Sequence, residues 1–204
     1  MTLLRPLTVE TAGDLTGRLD AFYGGATGGP WTLWSAWPTP DLVPLGYTLI
    51  GQPPLMVRPP GGEPYPIPPG LRIVEVEDEE TLAKLERTFI EGYGLATMAT
   101  ARPGQLFRAG ALGGPTHFWI GYEGDHPVTT AVSTVGEGVV GIYFVATLPD
   151  ARGRGYGAAI TDAAARANAD LPAVLQSSDM GRPVYERIGF ETVAHFTLWQ
   201  RPRG

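Results

Sequence analysis

Apolar and charged residues alternate over residues 71–77, where Leu71, Ile73, Val74 and Val76 sit among Arg72, Glu75 and Glu77, and this period predicts a half-buried strand. The period then lengthens. Leu82, Leu85 and Phe89 recur at helical spacing behind Asp78, Glu79 and Glu80, which predicts a helix capped by Asp78 and stopped at Gly92 and Gly94. Residues 117–122, 127–135 and 138–147 predict three consecutive strands, and the turns Glu123-Gly124-Asp125 and Gly136-Glu137-Gly138 fold them into an antiparallel meander. The third of these is apolar almost throughout, which places it centrally in the sheet, and Pro149 ends it. Beyond it follow an alanine-rich helix over 158–169 and a short strand over 173–178. A short helix over 182–188 stopped by Gly189 and a closing strand over 190–200 complete the chain. The succession predicts an α/β (α+β) fold, a mixed and mostly antiparallel sheet flanked by helices.

Residues 52–70 break that rhythm. Pro53-Pro54, Pro59-Pro60-Gly61-Gly62 and Pro68-Pro69-Gly70 exclude regular helix and predict a stiff connector, so the chain divides into an N-terminal region, 1–62, a connector, 63–70, and a larger domain, 71–204. The two parts share a pattern. Gly46-Tyr47 precedes Arg58-Pro59 at the same interval at which Gly189-Phe190 precedes Arg201-Pro202, and the same shift aligns Ser35 with Ser178 and residues 12–23 with the alanine-rich helix. The N-terminal region therefore reads as a partial, degenerate α/β copy of the end of the chain, with a structural rather than a catalytic part to play. Trp31, Trp34 and Trp37, followed by Pro38 and Pro40, are expected to pack that region.

Composition narrows the chemistry. The chain of 204 residues is 43% hydrophobic and 18% charged, with a formal net charge of −6, so it is a globular protein without the basic surface of a nucleic-acid binder. No stretch matches a membrane span or a secretory leader, which leads to the expectation of a cytoplasmic protein that does not contact membranes. With no cysteine and three scattered histidines, thiolate nucleophiles are excluded and no metal site is expected. Catalysis then rests on oxygen, nitrogen and backbone groups.

The segment Arg152-Gly153-Arg154-Gly155-Tyr156-Gly157 joins the central strand to the alanine-rich helix. Its glycines free consecutive backbone N–H groups to face one anion, the helix start adds its positive end, and two arginines add charge, so a pyrophosphate is the natural guest. No Gly-Lys-Ser or Gly-Lys-Thr follows, and the strand before the loop sits in an antiparallel meander, which separates it from nucleotide-triphosphatase and dinucleotide loops. Arg152, Gly155 and Gly157 fit the pattern Arg or Gln, two residues, Gly, one residue, Gly or Ala. Together with Val145-Ala146-Thr147-Leu148-Pro149 before it and Tyr185-Glu186-Arg187-Ile188-Gly189-Phe190 after it, residues 71–204 resemble a GCN5-related N-acetyltransferase (GNAT).

The resemblance implies an acetyltransferase that moves an acetyl group from acetyl-CoA directly to an amine of a small molecule or peptide; an alternative is a non-catalytic acyl-CoA-binding or sensing module. It implies that Val145, Ala146 and Thr147 meet the pantetheine arm and that the loop, Arg152, Gly153, Arg154, Gly155, Tyr156, Gly157 and Ala158, holds the pyrophosphate. Tyr185 aligns with the tyrosine that protonates the leaving thiolate. The glutamate that often serves as base is missing, since Ile142, Tyr143 and Phe144 occupy that stretch; Glu137 in the adjoining turn, acting through water, is the substitute expected, with His117, Ser178 and Asp179 as further candidates. His126 and His195 receive no role. The acceptor pocket is expected from the variable segment 94–115, and relatives suggest a homodimer as one assembly open to the chain.

Overall fold

The structure, a computed structural model, describes residues 2–3, 5–23, 30–95 and 102–202. In chain order its elements are β1 (Thr2–Leu3), α1 (Val9–Tyr23), β2 (Trp31–Ser35), β3 (Thr48–Gly51), β4 (Pro54–Arg58), β5 (Leu71–Glu75), α2 (Glu79–Tyr93) and β6 (Thr116–Glu123). After them come β7 (His126–Gly136), β8 (Val139–Thr147), α3 (Tyr156–Ala165), β9 (Ala173–Gln176), α4 (Arg182–Arg187), β10 (Glu191–His195) and β11 (Thr197–Arg201).

The expected meander is present. β5, β6, β7 and β8 pair antiparallel in sequence order, and β9 returns parallel to β8 through α3. The whole sheet runs β10-β4-β9-β8-β7-β6-β5, which sets β8 at its centre as its apolar run required. Glu137 (φ 48) and Gly138 (φ 74) both take positive φ between the paired Gly136 and Val139, the geometry of a two-residue hairpin turn.

Each face of this sheet buries a helix. On one side Met56, Val140, Ile142 and Phe190 close over Ala158, Ile160 and Ala164 of α3, whose small residues let it lie near the strands. On the other, Phe118, Ile120, Val132 and Ala146 meet Leu82, Leu85 and Phe89 of α2. Consecutive residues Val128 to Ser133 of β7 are buried because both faces are covered. Each fully buried Leu- or Ile-sized side chain contributes about 1.5–3 kcal/mol. Asp78 caps α2 as expected, accepting from the Thr81 N–H at 2.8 Å, and Gly94 (φ 74) ends it.

Two compact units result. One comprises Met56–Gln176 and Met180–Glu191; the other comprises Met1–Leu55, Ser177–Asp179 and Thr192–Gly204. In the latter, α1 sets Ala12 and Leu19 against Leu33, Leu42, Tyr47 and Trp199 over a sheet of order β1-β2-β11-β3. Trp31 stacks on Tyr23 at 5.2 Å and meets Tyr47 edge-on at 5.3 Å, while Trp34 meets Phe196, so these tryptophans are packing residues.

Three elements differ from their sequence readings. The proline-rich stretch contains β4, tolerated because Pro54 is its first residue and later positions carry the ladder N–H groups. α3 spans Tyr156–Ala165, so it begins inside the glycine loop. The single closing strand is two, β10 and β11, in different sheets; at the break the Phe196 N–H donates to the Pro53 carbonyl at 2.9 Å.

Candidate functional site

The centre of the large sheet is split. β9 pairs with β8 at Val140, Gly141 and Ile142, and from Tyr143 onward the β9-facing edge of β8 has no strand partner among the described residues. Unpaired strand edges present N–H and C=O groups ready for an extended ligand. On its other side β8 stays paired with β7 through an irregularity between Thr130 and Val132, which gives β8 one extra residue. Phe144 absorbs that residue at φ 54, a conformation costly for a bulky side chain. Three contacts hold it: Thr130 Oγ1 donates to the Phe144 carbonyl at 3.1 Å, and the ring meets Phe89 at 5.2 Å and Phe107 at 5.0 Å. Thr129, fully buried, donates to the Ala146 carbonyl at 2.9 Å. Tyr143 and Phe144 remain 53% and 45% exposed at the split.

The open edge leads to the glycine loop. Pro149–Ala151 forms one 3-10 turn, Gly153 (φ 77) and Gly155 (φ 81) reverse the backbone, and α3 starts at Tyr156 with no side-chain cap on its first N–H groups. The Tyr156 ring and the Ala158 methyl are buried, so what the helix start offers is backbone. Uncapped amides and a helix dipole are features that suit an anion. A Cβ on Gly157 would lie 3.4 Å from Thr147 Oγ1, so helix and strand meet closely there.

Both arginines of the loop are committed to protein partners. Arg152 Nε donates to the Thr147 carbonyl at 3.1 Å and Nη2 to the Gly92 carbonyl at 2.8 Å, bracing the end of β8 against the end of α2. Arg154 Nη1 donates to both Glu123 carboxylate oxygens at 2.8 Å, and Nη2 to the Asp150 carbonyl at 3.1 Å. A groove of about 690 Å³ adjoins the loop, lined by Glu123, Leu148 and Asp150 and by the cationic or titratable Lys84, Arg87 and His126.

Tyr185 on α4 is half-buried, and burial first, then the neighbouring Tyr93 phenol, push its hydroxyl up to about 12. It is held as a neutral proton donor. Val145 packs toward the α3 side and Ala146 toward the α2 side. Val145, Ala146, Thr147, the loop residues and Tyr185 thus belong to one unit. Glu137 does not join them: it is exposed in the turn before β8, about 20 Å of extended strand from Tyr143 at roughly 3.3 Å per residue. His117, paired with Thr134's neighbour Ser133, lies toward that same far end and binds Glu75 Oε1 through Nδ1 at 2.6 Å. Ser178 and Asp179 fall in the other unit.

Several site residues escaped the sequence. Gly92 is one: a Cβ there would stand 3.2 Å from Ala146 Cβ and 3.3 Å from the Thr147 carbonyl carbon, so any side chain would push α2 off β8 by a little. Glu86, 2% exposed, accepts from the backbone N–H groups of Gly104, Gln105 and Phe107 and fixes that part of the segment 94–115, of which residues 96–101 lie outside the described residues. An isolated glutamate on the apolar side of α2, where Leu82, Leu85 and Phe89 are core, was the available signal.

Residues 114–192 match the family model described as an acetyltransferase (GNAT) domain. Over that segment, which runs from just before β6 into β10, the chain is similar to that family. A GCN5-related N-acetyltransferase from Kribbella flavida superposes with a TM-score of 0.73 at 22% identity, over 100% of this chain and 81% of that one. A GCN5-related N-acetyltransferase from Sphaerobacter thermophilus gives 0.61 at 16% identity, over 96% and 70%. A functionally unknown conserved protein from Staphylococcus epidermidis gives 0.66 at 14% identity, over 94% and 78%. These likenesses are of fold. No curated protein matches the sequence. GNAT family and fold support acyl transfer in general. Among the described residues no helix is long and apolar enough to cross a membrane, and no group of three or more His, Cys, Asp or Glu residues is placed to hold a metal ion.

Proposed function

We propose that the chain moves an acetyl group from acetyl-CoA to an amine of a small molecule or peptide by direct attack. One observation carries the reading: the unpartnered edge of β8 runs straight into the uncapped start of α3. An extended amide-bearing arm fits the first and a pyrophosphate the second. The loop amides from Gly153 to Ala158 would hold the phosphates, with Arg152 and Arg154 fixing the loop's shape from behind rather than touching the ligand.

The thioester then reaches the bulge at Phe144. The amine nitrogen bonds to the thioester carbon, the tetrahedral oxyanion is met by backbone N–H of β8, and collapse breaks the C–S bond. Tyr185, protonated at neutral pH as any tyrosine is, gives its proton to the departing thiolate. The proton lost by the amine passes to water, since Glu137 is too distant and β8 offers only aromatic side chains at the split.

The test is release of free CoA from acetyl-CoA with a panel of amines, amino acids, aminoglycosides and peptides. Turnover with one of them is expected. Tight acetyl-CoA binding with no thiol released from any amine would identify a sensing module instead, a reading that the missing carboxylate on β8 favours.

A further inference from the structure

The correspondence between the two ends of the chain extends through most of their elements. At one constant interval α1 answers to α3, β2 to β9, the Gly46-Tyr47 step to Gly189-Phe190, β3 to β10, and β4, residue for residue, to β11. The sheet orders then show an exchange. In the four-stranded sheet, the strand between β2 and β3 is β11; in the seven-stranded sheet, the strand between β9 and β10 is β4. Each pair of strands receives the closing strand of the other copy.

The side chains repeat the exchange. Arg201 Nη1 donates to the Leu45 carbonyl at 2.6 Å, Nη2 binds Asp20 of α1 at 2.9 Å, and Cζ lies 5.1 Å over the Tyr47 ring. Arg58 Nη1 donates to the Ile188 carbonyl at 3.4 Å and binds Asp162 of α3 at 2.7 Å, and Cζ lies 5.3 Å over the Phe190 ring. Gly46 (φ 82) and Gly189 (φ 88) both face the arginines: a Cβ on Gly46 would collide with the Arg201 guanidinium, and one on Gly189 would make ordinary contact with Arg58 Cδ at 3.6 Å. In both places one guanidinium meets a carbonyl, a helix carboxylate and a ring, Arg201 reaching its carboxylate through Nη2 and Arg58 through Nη1, a set that two unrelated strand ends would not be expected to share.

We infer that the chain is an internal duplication whose two copies have exchanged closing strands, so that Arg58, from the first copy, is a positioning residue for α3 of the acyl-CoA unit. Asp162 is 4% exposed and also accepts from Arg166 Nε at 2.9 Å and from the Tyr65 N–H at 3.2 Å. Gly61 donates to the Ala169 carbonyl at 3.3 Å, and Arg166 Nη2 to the Gly62 carbonyl at 3.2 Å. The proline-rich stretch is thereby fastened along the helix whose start holds the glycine loop, and Tyr65 and Pro68 reach Gly155 itself. The consequence for acyl-CoA rests on the function proposed above; the exchange does not.

Hydrogen exchange of the full-length chain separates the two. Arg58→Met is expected to speed amide exchange in α3 by about tenfold or more and leave α1 unchanged, while Arg201→Met does the reverse. Acetyl-CoA affinity falls several-fold in Arg58→Met alone, and Arg58→Lys, which keeps the charge without the fork, regains part of it. If Arg58→Met does not fold, Arg58→Lys is read for the same pattern. Loosening of α1 by the Arg58 variants, or equal loosening of both helices by each variant, would overturn the exchange. The predicted exchange pattern in a protein that does not bind acetyl-CoA would leave the duplication standing and remove the proposed function.

Discussion

Helices α1 and α3 answer to each other in the repeat, yet they begin in opposite ways. At the start of α1, Thr8 Oγ1 accepts from the Thr11 N–H at 3.3 Å, Thr11 Oγ1 accepts from the Thr8 N–H at 3.1 Å, and the Ala12 N–H meets the Thr8 carbonyl at 3.0 Å. The Thr8 and Thr11 amides are met by each other's side chains, as in a capping box. α3 starts from Gly155 with no side-chain cap, behind two glycines of positive φ. A helix start that closes on itself stabilises the fold, whereas one left open keeps its amides for an anion. The difference favours placing the proposed acyl-CoA site at the start of α3 alone, because the first turn of α1 is already closed by Thr8 and Thr11.

The largest effect expected concerns the chemistry beside the open helix. Tyr185→Phe should lower turnover by about a hundredfold or more while the KM for acetyl-CoA stays within twofold or so, measured by steady-state thiol release. The pH dependence follows from the direction of its shift. Burial raises the phenol from 10.0 to about 12, so the folded chain holds this proton more tightly than the unfolded chain does. The stability that this contributes is therefore complete below pH 10 and is lost as pH rises toward 12, and turnover should show no Tyr185-dependent fall up to pH 10.

Next comes the opening itself. Gly155→Val places a β-branched residue at φ 81 with its Cβ 3.3 Å from Pro68 Cγ and 3.4 Å from Tyr65 Oη, and should weaken acetyl-CoA binding about tenfold or more by calorimetry, with the circular dichroism unchanged. The closed counterpart behaves differently: Thr8→Ala should cost about 1 kcal/mol in denaturant unfolding without altering acetyl-CoA affinity. A loss of affinity in Thr8→Ala would break the comparison. Smallest of all, Glu137→Asn should leave turnover unchanged and stability within about 0.5 kcal/mol, because asparagine accepts the positive φ of that turn.

Local patterns made much of this legible in the sequence. The alternation of β5 to β8, the Asp78 cap and the spaced glycines at 153, 155 and 157 each depend on neighbours in the chain, and each lies where it was read. What escaped depends on distant partners. Residues 190–200 read as one strand because nothing local marks Phe196, yet β11 takes its register from Trp31–Ser35 and so leaves the sheet of β10. Prolines around β4 masked a strand whose partners lie more than a hundred residues on. Glu137 drew attention as a carboxylate near β8, and its position is explained by the hairpin turn it occupies. The loop's arginines read as charges beside a phosphate; their bonds to the Thr147, Gly92 and Asp150 carbonyls and to Glu123 could not be read from the loop alone.

The most direct measurement is a calorimetric titration of the full-length chain with acetyl-CoA. One molecule bound per chain, with binding weakened in Gly155→Val and retained in Thr8→Ala, is the predicted result. Two molecules per chain, or one whose affinity is indifferent to Gly155→Val, would contradict a single site at the open start of α3.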